Sequence, residues 1–157
     1  MMMHPCNNDH WVATFGKPDY FITMTANPNW SEVRNNLRPG EATHNRPDLM
    51  ARVFRLKLKE LLKDLLDEHV LGRVKAYTYV VEFQKRGLPH VHLLLIMDSA
   101  DKLKTARDID RVVSAELPCA QTQGPLRDLV ERFMLHGPCG ALNPNCPCME
   151  GGTCSKN

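Results

Sequence analysis

Polar and apolar positions alternate or recur in a few clear stretches. "YFITMTANP", Tyr20 to Pro28, is aromatic, β-branched and partly alternating, as a strand is, and Asn27-Pro28 ends it. "WSEVRNNL" predicts a short helix with Ser31 as N-cap, and "RPGEATHNRPD" predicts a loop. From about Pro47 to about His69, the positions Leu49, Val53, Phe54, Leu58, Leu61, Leu62, Leu65 and Leu66 recur at helical spacing. Lys57, Lys59 and Lys63 take the wetter side, and Gly72 is the stop signal. "VKAYTYVVEF" and "HVHLLLIM" then predict two strands, with a Gly/Pro turn between them. "RVVSAEL" fits either helix or strand. "PLRDLVERFML" predicts an amphipathic helix with Leu126, Leu129, Val130 and Phe133 on one side. This order predicts an α+β fold, an antiparallel sheet with helices packed on one face and the other left open.

The hairpin sorts chemistry by parity. Side chains alternate faces along a strand. Glu82, Gln84, His90 and His92 are all even-numbered and share a face if even pairs with even. Glu82 opposite His92 and Gln84 opposite His90 satisfies this, with "KRGLP" as the loop. Val81, Phe83, Val91, Leu93 and Leu95 would form the core face. Two imidazoles and a carboxylate on one face make a three-ligand metal site with open positions. A pair of satisfied surface histidines is the competing reading.

Composition narrows the class. With 157 residues, 43% hydrophobic and 24% charged, the chain is ordinary globular material. A net charge of +2 gives no global attraction to nucleic acid, so any basic surface must be local. No apolar run is long enough to span a bilayer, and "MMMHPCNNDHW" lacks the pattern of a secretion signal. A nuclear location is expected in a eukaryote and a cytoplasmic one otherwise. Cys139, Cys146, Cys148 and Cys154 crowd into the last 20 residues beside His136. Without a secretory signal, such clustering favours metal over disulfides. His136, Cys139, Cys148 and Cys154 are spaced H-x₂-C-x₈-C-x₅-C and form a candidate zinc site, with Cys146 as an alternative ligand. A reduced, loop-rich linker is the alternative.

"EFQKRGLPHVH" resembles the motif of two histidines around a hydrophobic residue (HUH) in rolling-circle Rep endonucleases. More closely, it is similar to the signature of the Helitron transposon Rep domain, often labelled Helitron helicase-like. "GKPDYFITMTANPNWSEV" resembles that family's first motif, and "VVSAELP" and "HGPCG…PCM…CSK" resemble later blocks in the same order. The resemblance implies a ferredoxin- or RRM-like sheet and metal-dependent nicking and transfer of single-stranded DNA. It implies that Glu82, eight positions before His90, binds Mg²⁺ or Mn²⁺ together with His90 and His92, with Gln84 as the alternative ligand. Imidazole ligands favour Mn²⁺ over a site built only of oxygens. Thr23 and Thr25 on the first strand, and Lys85 and Arg86 at the hairpin tip, are candidate DNA contacts; sheet packing and a solvated turn are the plain alternatives.

The family's nucleophilic tyrosine motif lies downstream of the "CSK" block. The three tyrosines here, Tyr20, Tyr77 and Tyr79, fall in predicted strands or at their edges, so no catalytic residue is identified. No GxxxxGK[ST] phosphate loop occurs; the family's helicase is a C-terminal domain of the same chain, expected to be missing here. The expectation is a Rep-type core at residues 1–118, followed by a helix and Cys/His-rich tail at 119–157. Such a chain would bind metal and single-stranded DNA but not cleave alone. A non-catalytic DNA- or zinc-binding remnant of a transposon protein is the alternative.

Overall fold

The computed structural model describes residues 14–83, 87–135, 139–141, 143–146 and 148–154. The chain divides into two compact units, Met1–Val112 and Val113–Asn157. The first holds β1 (Tyr20–Thr25), α1 (Ser31–Arg34), a 3₁₀ turn (Thr43–Asn45), α2 (Pro47–Leu66), β2 (Val74–Phe83), β3 (Pro89–Met97) and α3 (Ala106–Val112). The second holds α4 (Gly124–Phe133) and the two-residue strands β4 (Met149–Glu150) and β5 (Thr153–Cys154). The fold is α+β with an antiparallel sheet, and a cysteine cluster lies near the C-terminus, as the apolar pattern and cysteine placement predicted.

In the first unit the strands run in the order β1-β3-β2, all antiparallel. The most apolar strand, β3, is therefore central. Its odd residues Val91, Leu93 and Leu95 are fully buried. Against them α2 lays Met50, Val53, Phe54, Leu58 and Leu65, spaced to recur on one helical face. Each such side chain contributes roughly 1.5–3 kcal/mol by leaving water. Tyr77 and Tyr79 lie on this same helix-covered side and pack against the core, as parity with Phe83 implied, and Tyr20, paired with Leu95, joins them there. The core thins toward the hairpin tip, where Phe83 is 66% exposed despite its apolar character.

Four local expectations change. Ser31 is the first residue of α1 rather than its cap; Trp30 holds the cap position, and Ser31 Oγ donates to Glu32 at 3.2 Å. The long helix stops at Leu66, well before Gly72, because His69 turns the chain in the left-handed region at φ +54°. Gly72 closes the next turn at φ +101°, its N–H donating to His69 O at 2.8 Å. The ambiguous "RVVSAEL" is split: Arg111 and Val112 end α3, and the residues after them are neither helix nor strand. Finally, the apolar side of α4 is not covered: Leu126, Leu129 and Phe133 are all about half exposed or more.

The candidate metal and nucleic-acid face

The hairpin pairs Glu82 with His90 and Val80 with His92, and its last pair is Phe83 with Pro89. The register expected from sequence, Glu82 opposite His92, is thus corrected by two residues. A slip of two keeps every side chain on its face, so the parity argument survives the error. On the side away from α2, β1 offers Phe21, Thr23 and Thr25, β3 offers His90 and His92, and β2 offers Val80 and Glu82. Because β3 is central, its histidines have neighbours on both sides.

Those neighbours give each imidazole a distinct setting. Thr23 stands opposite His92 and Thr25 opposite His90. Thr25 Oγ1 and His90 Nδ1 share a short hydrogen bond. If Nδ1 carries the proton and donates to Thr25, Nε2 is left as a lone-pair donor for a cation. His92 Nε2 lies 3.5 Å from Glu82 Oε2. Its other nitrogen, Nδ1, is buried and has no hydrogen-bond partner. The two rings meet edge-on with centroids 4.5 Å apart. Phe21 stacks on His92, centroids 5.5 Å apart and planes 10° from parallel, yet is 63% exposed. Phe21 was missed in the sequence; its parity with Thr23 and Thr25 was the available signal.

Among the described residues, only Cys139, Cys148 and Cys154 bring three ligand atoms within 4.8 Å of one another. Glu82, His90 and His92 share a face and touch in pairs without reaching that closeness. Gln84, Lys85 and Arg86 fall outside the described residues, as does His136.

The cysteine cluster is built by tight turns. Gly151 and Gly152, at φ +58° and +83°, join β4 to β5. Two consecutive left-handed residues are what a two-residue hairpin requires, and only glycine takes them cheaply. This returns Cys154 beside Cys148 and Cys139. Cys146 Sγ lies 3.4 Å from Cys148 Sγ, so a fourth sulfur is at hand. Tetrahedral zinc with bonds of about 2.3 Å sets sulfurs about 3.8 Å apart, a spacing this cluster approaches. Burial, with the neighbouring thiols, pushes the Cys148 thiol up to about 12. A bound cation reverses that preference by supplying the charge that stabilises thiolate. The three cysteines can therefore hold a metal such as zinc.

An α+β unit with an imidazole pair on the sheet face opposite α2 thus shares the chain with a cysteine cluster. The model of the family described as "Helitron helicase-like domain at N-terminus" matches residues 7–95, more than half of the chain. The chain belongs to that family and so to the proteins of Helitron transposons. A comparison with curated proteins found no match. No helix among the described residues is long and apolar enough to cross a membrane.

Proposed function

We propose that the histidine face is the divalent-metal and single-stranded DNA site of an HUH-type nicking domain. The observation that carries this reading is Glu82 within 3.5 Å of His92, beside His90, on the sheet face opposite α2. Glu82, His90 and His92 would hold Mg²⁺ or Mn²⁺, with Gln84 as the alternative ligand. The donor set, one carboxylate and two imidazoles, suits such an ion, and His92 turns Nε2 toward Glu82. A bound cation would polarise a scissile phosphodiester. Thr25 orients His90. Thr23, Lys85 and Arg86 are the proposed strand contacts.

Transfer of a DNA strand in this chemistry also needs a tyrosine nucleophile. Tyr20, Tyr77 and Tyr79 all lie on the helix-covered side, opposite the histidines. The chain is therefore expected to bind single-stranded DNA with a metal ion without forming a covalent link by itself. The partner domain that would supply ATP-driven unwinding belongs to the same reading, as does a nuclear location in a eukaryotic host. Incubation with end-labelled single-stranded DNA and Mn²⁺, followed by denaturing electrophoresis, tests it. Retarded mobility under native conditions and none after denaturation is expected; a denaturation-resistant adduct overturns it.

The cysteine cluster favours a second activity in the same chain, structural zinc binding through Cys139, Cys148, Cys154 and one of Cys146 or His136. Metal analysis should find zinc in the purified protein and lose it on Cys148→Ser. Unchanged zinc content in that variant contradicts the assignment.

A further inference from the structure

A cavity of about 490 Å³ opens at the end of β3 away from the histidines. It lies entirely within the first unit. Its wall is formed by Tyr20 at the start of β1, Gly72 before β2, Asp101 and Lys104 after β3, and Asp108 and Arg111 on α3.

The charges in this wall are unevenly satisfied. Asp101 accepts from the backbone N–H of Arg73 at 2.9 Å and from its Nε at 3.4 Å. Asp108 accepts from the backbone N–H groups of Lys104 and Thr105 and from the Thr105 hydroxyl. Lys102, also in the wall, is held by Asp19 at 2.8 Å. The side chains of Lys104 and Arg111, by contrast, have no ion-pair or hydrogen-bond partner among the described residues. Tyr20 adds a second, independent signal. It is only 9% exposed, and its hydroxyl is buried without a hydrogen-bond partner. Buried hydroxyls are nearly always satisfied, so an orphan beside this cavity points to a group that the residue lacks. Burial raises the Tyr20 pKa, and the charge of Arg111 partly opposes this.

Two cations without a hydrogen-bonded partner among the described residues, around one concavity with a buried tyrosine in its wall, call for an oxyanion. The planar guanidinium fork matches phosphate oxygens, and a lysine adds a point charge. The volume is too large for a bare phosphate and falls in the range of small-molecule sites, about 300–1,000 Å³. Asp101 and Asp108 would repel a second anionic group, but their remaining lone pairs can accept from a sugar hydroxyl or a base amino group. We propose that this cavity binds the phosphate of a nucleotide, with Arg111 and Lys104 holding the phosphate and the Tyr20 side chain lining its seat. The nucleotide is either free or part of a DNA strand.

The test uses the full chain with ¹³C-labelled tyrosine. Deoxyadenosine monophosphate, deoxyadenosine and a short single-stranded oligonucleotide are titrated separately while the Tyr20 ring signal is followed. The monophosphate or the oligonucleotide should shift that signal, and whichever binds more tightly identifies the source of the phosphate. Deoxyadenosine should not shift it. Arg111→Ala and Lys104→Ala, both at exposed side chains, should each weaken the response about tenfold, the loss of one charge-assisted contact. A Tyr20 response equal for nucleoside and nucleotide, no response to either phosphate ligand, or affinity unchanged in both variants would overturn the proposal.

Discussion

Val91 and His92 are adjacent in sequence but should respond oppositely to truncation. Val91 is 0% exposed and packs among Met50, Val53, Phe54 and Leu58. Val91→Ala removes two buried methyl groups, about 1.6 kcal/mol of transfer free energy at about 0.8 each. The void left in a close-packed strand-helix interface adds to this, for a total of about 2–3 kcal/mol. For a unit of this size that lowers the melting temperature by about 10 °C. His92 stands on the other face with its side chain 34% exposed. His92→Ala gives up the stack on Phe21 and a weak exposed ion pair, but it also removes a buried nitrogen that has no partner. These nearly cancel, so the cost should stay under about 1 kcal/mol. Thermal unfolding by circular dichroism, with both variants at one protein concentration, measures the difference. If His92→Ala costs as much as Val91→Ala, the division of β3 into a core face and a site face is wrong.

Two further outcomes follow from particular contacts. Gly72→Ala should destabilise by more than about 1 kcal/mol, since the residue sits at φ +101° and its new Cβ would lie 2.8 Å from Asp101 Cβ; a melting temperature equal to wild type would refute this. Asp48, at the start of α2, has its pKa drawn from 3.8 to about 2, chiefly by its hydrogen bond from Arg46. A depressed carboxylate pKa stabilises above the unfolded value and ceases to do so as pH falls through the folded one. The stability gap between wild type and Asp48→Asn should therefore be present at pH 5 and close between about pH 4 and pH 2; melting curves across that range check it, and a gap independent of pH contradicts it.

Parity was the most legible feature of this sequence, because alternation along β3 states which residues face the helix without any knowledge of pairing partners. Register was not legible. Loops of residues 84–88 and 85–89 both contain five residues and both place Gly87, at φ +73°, inside the turn. The end of α2 was hidden because Asp67 and Glu68 are compatible with helix, and the break comes from His69 adopting a conformation that histidine seldom takes. In α3, "ARDIDRV" buries nothing, so no apolar period announced it. The cysteines were legible as a group but not as a set of partners. Only the glycine turn after Glu150 shows how Cys154 returns to Cys148 and Cys139. Phe21 and Thr25 drew little notice as neighbours of the imidazoles because β1 pairs with β3 across some 65 residues of intervening chain.

The central claim is that Glu82, His90 and His92 share one cation. Paramagnetic broadening of the histidine side-chain signals by substoichiometric Mn²⁺ tests it most directly. His90 and His92 should broaden first and together, and Glu82→Gln should weaken the effect on both. Broadening that begins at other histidines or at the cysteine cluster, or that is unchanged in Glu82→Gln, would contradict the account.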